Sequence, residues 1–338
     1  MNDSAPTSTR CSITDSLKGF AIACVVLGHS VLRTVPDPPS NPVYLALLAF
    51  EMPLFMFLSG YVLPGRVRSP RGRWTAERAV RLMVPFLVWQ SIFFLSRRIG
   101  SPVSASIGDT VLGMLASVGR ALAFPATGLW YLPALAICSA LVAALYPLRE
   151  RVWAFVVLGW AALLAAEWAL AATGVRGDFG VAKAATHWPY FAAGFAFAQL
   201  GRDVRLPGTR GLSWLLVYPL LAGPAYAAIL QLGGLLTQGL RIVLGLLGIA
   251  FSVVALNLAE KPARLLHLDV LGKLTLGIYC SHWLFLRVDF GDGVLGVAAR
   301  FAFTLACSTA LSWAITRWAP ARAVLLGEWP RKRAAVVA

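Results

Sequence analysis

The chain has 338 residues, of which 58% are hydrophobic and only 13% charged, and its mean hydropathy is +0.71. No soluble core could hide that much apolar surface, so a soluble globular domain is excluded and an all-α, polytopic membrane helix bundle is expected. The net charge of +15 has no basic and aromatic surface module to sit in, so it points to membrane lipid or an anionic soluble ligand and not to nucleic acid.

Taken in chain order, the first fourteen residues are polar and no apolar signal region precedes residue 17. Residues 1–15 therefore read as a cytoplasmic N-terminal segment followed by a retained first span. About ten segments are long enough to cross a hydrocarbon core of about 30 Å: 16–35, 43–64, 79–97, 129–148, 152–173, 187–201, 212–231, 238–258, 269–288 and 293–318. Region 99–128 reads as an outer loop with helical character. The transmembrane domain is thus 16–318, and 319–338 is a basic tail. Most of the 30 Lys and Arg residues fall on one alternating set of loops together with the termini, which places both termini in the cytoplasm; the cell (inner) membrane is the expected location. Five scattered cysteines, mostly inside apolar segments, suggest neither a disulfide framework nor a metal site.

Ionisable residues inside the spans are the candidates for function, because desolvating them is expensive. Lys18 and His29 are eleven positions apart in the first span. On a helix they share a face, separated by about 16 Å of rise, with Lys18 at the membrane edge and His29 near mid-membrane. Glu51, eight residues into the second span, reaches a similar depth from the other side and could pair with His29, making the imidazole a general base. Pro53, two residues on, locally breaks that helix. Arg78 and Arg81, three apart, share a face at the start of the third span and suit a phosphate-bearing ligand, although the surrounding basic run is also what topology requires. Glu167 lies inside the fifth span, and Tyr279 and His282 share a face of the ninth. All three could touch a substrate or simply brace the bundle. His187 and His267 fall at span ends and read as solvated surface residues. Trp153, Trp188, Trp214 and Trp318 read as interfacial anchors.

Several strings carry a resemblance when read together. Asp15-Ser-Leu-Lys-Gly-Phe-Ala-Ile with Val-Val-Leu-Gly-His29, then Pro53 to Leu63 (PLFMFLSGYVL), Arg78-Ala-Val-Arg81 with Pro85-Phe-Leu-Val-Trp89, Leu129-Trp-Tyr-Leu132, Tyr190-Phe-Ala-Ala-Gly194, and Leu271 to His282 (LGKLTLGIYCSH) follow in order. This series resembles the acyltransferase-3 superfamily of integral-membrane O-acyltransferases over nearly the whole chain. The resemblance implies transfer of an acyl group, commonly acetyl, from cytoplasmic acyl-CoA to a hydroxyl of a sugar, glycan or lipid-linked acceptor. Acyl-CoA would be a co-substrate and no bound cofactor or metal is implied. Lys18 and His29 map onto the family's functional pair, and Arg78 and Arg81 onto its second basic pair. Trp130, Glu167, Tyr279 and His282 are the candidates for binding the acceptor. Two positions depart from the family pattern: many members carry Arg at the place of Lys18, and many carry His at the place of Glu51.

The alternative to an enzyme is a transporter or flippase for a glycan or lipid intermediate, which would also need buried ionisable residues. The chain shows no matching halves with corresponding interrupted helices, the usual sequence sign of alternating access.

Overall fold

A computed structural model describes residues 7–67, 70–98, 107–125, 128–174, 177–204 and 209–329. Arg68 and the end of the tail, 330–338, lie outside them. The described residues form thirteen α-helices and no strand: α1 (Thr7–Thr34), α2 (Pro42–Tyr61), α3 (Arg71–Arg98), α4 (Ile107–Ala123), α5 (Tyr131–Leu145), α6 (Val152–Ala172), α7 (Val181–Gln199), α8 (Tyr218–Leu230), α9 (Gly234–Leu258), α10 (Glu260–Leu265), α11 (Leu268–Phe285), α12 (Gly293–Arg317) and α13 (Ala319–Leu326).

Among the described residues, eight helices are long and apolar enough to cross a membrane. The two remaining expected spans fall on α7 and α11, 19 and 18 residues long. These are more polar because α7 carries Lys183 and His187 and α11 carries Asp269, Lys273 and His282. The expected outer loop at 99–128 contains α4, a helix of 17 residues. Residues 319–326 form α13, which folds back onto α3: the Trp89 indole N–H donates to the Leu325 carbonyl at 3.0 Å.

Of the eight, α2 and α1 are the most enclosed and α6 and α12 the least. Lipid tails give helices no hydrophobic reason to associate, so close packing and hydrogen bonding must hold them. Small residues supply the packing. A Cβ added to Gly19 of α1 would lie 1.8 Å from the Leu268 carbonyl oxygen, and one added to Gly272 of α11 would lie 1.8 Å from that of Asp15. The two backbones therefore touch at reciprocal glycines. Gly60 and Gly194 play the same part between α2 and α7, against the carbonyls of Phe191 and Phe57.

Hydrogen bonding follows the same economy. On α12 the buried face repeats every fourth residue as Arg300, Thr304, Ser308 and Ser312, so the polar stripe faces protein and the apolar stripe faces lipid. The Ser308 and Ser312 hydroxyls donate to the carbonyls of Thr304 and Ser308, one turn back. Arg300, 4% exposed, binds the Thr34 hydroxyl, the Val288 carbonyl at 3.2 Å and Asp289 Oδ1 at 2.8 Å. It ties the end of α1 to the turn after α11.

Replacing Gly272 by Val puts side-chain atoms where the Asp15 carbonyl lies. Overpacking of this kind typically costs about 1–3 kcal/mol, so a clear fall in melting temperature of the detergent-solubilised protein is expected by differential scanning fluorimetry. The same change at Gly239, which faces open space, should leave it nearly unchanged.

Candidate active site

The close approach of α1 and α11 brings two imidazoles side by side. The ring centroids of His29 and His282 are 5.1 Å apart, and the Trp283 ring packs 4.6 Å from His29. His29 Nδ1 lies 3.0 Å from the Val25 carbonyl and His282 Nδ1 2.7 Å from that of Tyr279. A carbonyl only accepts, so in each neutral ring Nδ1 carries the proton and Nε2 keeps a free lone pair. His29 is half-buried, whereas His282 is fully buried with Nε2 unpartnered. His29 therefore presents an accessible basic nitrogen, and His282 stands behind it.

The apolar part of α1 is Ile13–Thr34, and His29 lies five residues, about 7.5 Å, from its end. Lys18 lies toward the opposite end, where its Nζ is 3.1 Å from Asp15 Oδ1. The pairing of Glu51 with His29 is not formed. Glu51 is buried, its Oε2 has no partner, and it makes no ion pair with His29. The reason is rotational. Gly28 is the residue that faces α2, with Glu51 Oε2 3.1 Å from where its Cβ would be. The next residue, His29, turns about 100° away, toward α11.

A line of polar and aromatic contacts runs away from His282. The rings of Tyr279 and His282 are 6.0 Å apart and those of Tyr131 and Tyr279 5.5 Å apart. The Tyr131 backbone N–H donates to the Tyr279 hydroxyl at 3.2 Å, that hydroxyl donates to the Gly128 carbonyl at 3.3 Å, and the Tyr131 hydroxyl meets the Ser59 hydroxyl at 2.5 Å. Arg78 joins at α5. Its Nε donates to the Ser139 hydroxyl at 2.7 Å, and its guanidinium lies 5.9 Å over the Trp74 ring. Arg81 turns outward to Glu328 Oε1, 3.3 Å away. Gly327, at φ +64°, lets the chain make that turn with its Cα against the Arg81 carbonyl.

Trp130 and His187 belong to a second polar group. Their rings are 4.7 Å apart and Lys183 Nζ lies 5.3 Å over the Trp130 ring. His187 is thus half-buried against Trp130, not a solvated surface residue. His267 is exposed, as expected. Trp188 is no interfacial anchor either: it is fully buried against Gly159 and its indole N–H donates to the Val156 carbonyl at 2.9 Å. Trp153, Trp214 and Trp318 are exposed. Glu167 stays apart from the site. The buried stripe of α6, Phe155, Gly159 and Leu163, ends one turn before it and leaves it exposed.

Residues 14–317 match the family model Acyl_transf_3, described as an acyltransferase domain. The chain belongs to the acyltransferase-3 family. It is an integral multi-pass membrane protein and carries the family's domain over most of its length. It is 37% identical over 91 residues to nodulation protein NolL of Sinorhizobium fredii (strain NBRC 101917 / NGR234), covering 25% of each chain. To nodulation protein NolL of Mesorhizobium japonicum (strain LMG 29417 / CECT 9101 / MAFF 303099) it is 29% identical over 119 residues, covering 34% of this chain and 32% of the relative. The matched stretches span about a quarter to a third of those relatives. No solved structure matches the chain.

Sequence reasoning passed over Tyr131 and Lys183, and mistook His187. The four-residue spacing of Lys183 and His187 was the available signal. Diethyl pyrocarbonate attacks unprotonated imidazole nitrogen, so burial should order the four histidines: His267 is modified first, His29 and His187 next, and His282 only after denaturation. Peptide mass spectrometry of briefly treated protein checks that order.

Proposed function

We propose that this protein transfers an acyl group, acetyl in the first instance, from cytoplasmic acyl-CoA to a hydroxyl of a sugar, glycan or lipid-linked acceptor. The observation that carries the reading is the free, accessible Nε2 of His29 at the end of a line through His282, Tyr279 and Tyr131, the first residue of α5, which holds Arg78 through Ser139 two turns further on. Membership of the acyltransferase-3 family supports the reaction class.

In this mechanism Arg78 and Arg81 hold the phosphates of CoA, and Lys18 adds positive charge near that membrane surface. The acceptor hydroxyl attacks the thioester carbonyl while His29 Nε2 takes its proton. The tetrahedral intermediate collapses with loss of CoA thiolate, which recovers the proton from the imidazolium. The carbonyl of Val25 holds the ring in the tautomer that can accept. His282 and Trp283 keep the ring facing the acceptor, and Tyr279 positions His282. Trp130 contributes to acceptor binding. Glu51 and Glu167 carry no step. The setting is the cell (inner) membrane, and the basic asymmetry of the loops supports both termini in the cytoplasm, so a donor from the cytoplasm would meet His29 toward the opposite face.

With membranes containing matched amounts of protein, His29→Ala should lower transfer of label from [14C]acetyl-CoA into glycan or lipid by about 10²–10⁴-fold, the usual contribution of a general base. Equal labelling would remove His29 from the chemistry. Absence of transfer by the wild type, with export of an unmodified glycan intact, would favour a transporter. Glu328→Gln frees Arg81 from an exposed bridge worth about 1 kcal/mol or less to stability. It should lower KM for acyl-CoA with kcat and melting temperature nearly unchanged, whereas Arg78→Ala should raise KM.

A further inference from the structure

His282 is 0% exposed, and its Nε2 has no hydrogen-bond partner. Native interiors seldom leave a buried lone pair unmatched, and each exception asks for a reason, catalysis among them. The tautomer is fixed. Nδ1 lies 2.7 Å from the Tyr279 carbonyl and 3.2 Å from that of Ile278, so it carries the ring's proton. The hydroxyls that flank His282 on α11 are already spent: that of Tyr279 donates to the Gly128 carbonyl and that of Ser281 to the Gly277 carbonyl.

The imidazole in contact with it is that of His29, 5.1 Å away between ring centroids. His29 has the same arrangement, with Nδ1 on the Val25 carbonyl and a bare Nε2. Two lone pairs cannot bond to each other. A single proton added to one Nε2 turns the pair into a donor and an acceptor. Two imidazoles joined nitrogen to nitrogen have ring centres about 5 Å apart, from a bond of about 2.9 Å and about 1.1 Å within each ring. The spacing already present is the one such a bond needs.

No carboxylate takes this part. Among the described residues neither ring makes an ion pair, and Glu51, on α2, faces Gly28. The other charged groups near the pair are cations or are paired. Arg33, one turn beyond His29, lies 5.3 Å over Trp283, and Arg300, on α12, is bound to Asp289. Further down α11, Asp269 is paired with Lys273, and Cys280 turns about 200° away from His282 on the helix. Trp283 packs on both imidazoles, at 4.6 and 5.7 Å. An imidazolium formed at His29 therefore has no counter-charge beside it, and sharing its N–H is what steadies it.

We propose that His282 is the positioning partner of His29 in proton transfer: its Nε2 accepts the N–H that His29 gains from the acceptor hydroxyl, a part elsewhere given to a carboxylate. The assignment deepens the acyl-transfer reading and rests on it for the identity of the hydroxyl. As the acceptor O–H breaks and its oxygen bonds to the thioester carbon, the proton moves to His29 Nε2 and is shared with His282 Nε2. When the C–S bond breaks, the CoA thiolate leaves with that proton, and both rings return to their neutral tautomers. His282 gains no proton of its own over the cycle.

The chain has four histidines, few enough to follow singly by NMR of full-length protein labelled with 15N-histidine in phosphatidylcholine nanodiscs. As pH is lowered, His29 should gain a proton at Nε2 together with a nitrogen–nitrogen coupling to His282 Nε2, while the exposed His267 titrates independently. Protonation of His29 without that coupling overturns the assignment. Turnover of acetyl-CoA supplies the second arm. His282→Leu removes the acceptor, and His282→Gln keeps one at similar reach. The Leu variant should lose tenfold or more in kcat, keep KM for acyl-CoA within twofold, and show the acid limb of kcat displaced downward by about one pH unit or more, because an imidazolium without that acceptor holds its proton less firmly. The Gln variant should recover most of the rate and the limb. Equal rates and equal pH profiles for Leu and Gln would mean that His282 only fills space, and the assignment falls. Failure of the acyl-transfer reading would look different, with no thioester turnover by wild-type protein while the coupling persists.

Discussion

The reciprocal contact of Gly19 and Gly272 lets α1 and α11 meet backbone to backbone, and the rest of the site depends on that approach. His29 and His282 lie ten residues further along their respective helices, so an ordinary pair of side chains at the crossing would hold them apart. Without water to drive association, the bundle has only packing and hydrogen bonds to work with. The residues that lack side chains therefore set the geometry of those that react. The Arg300 tie from α12 to Thr34 and the turn after α11 closes the far end of the same pair.

Polar groups inside the bundle are mostly spent on their own helices. Ser30, Ser252, Ser281, Ser308 and Ser312 each donate to a carbonyl one turn back, which spends the hydroxyl's one donor locally. Against that background the unspent groups stand out. His282 Nε2 and Glu51 Oε2 are buried without partners, and the His29 ring is only half-buried. One guanidinium also stands near the histidine pair: that of Arg33 lies 5.3 Å over the ring of Trp283, which packs on His29.

Composition alone was enough for the membrane class, because hydrophobic content acts through length and transfer energy, which are local to each segment. All ten expected spans fall on helices for the same reason. The likeness of the Lys18, His29, Arg78 and Arg81 strings to one family was also legible, since motifs are read along the chain. The pairing of Glu51 with His29 failed at a finer level. Depth along two helices can be counted from residue numbers, but the face each helix turns to its neighbour depends on which small residue sits at the contact. One residue of difference, Gly28 against His29, is about 100° of rotation.

His187 and Trp188 illustrate the boundary. Position near a predicted span end suggested solvent for the first and the lipid interface for the second, yet α7 begins at Val181 and runs through the bundle, so both are enclosed. Hydropathy and order along the chain were sufficient for helices, membrane and family, because each is a property of consecutive residues. The partner of each ionisable group and the isolation of Glu167 arise only when the helices pack, because rotation and contact between distant segments are set by close approach at glycines and not by hydropathy.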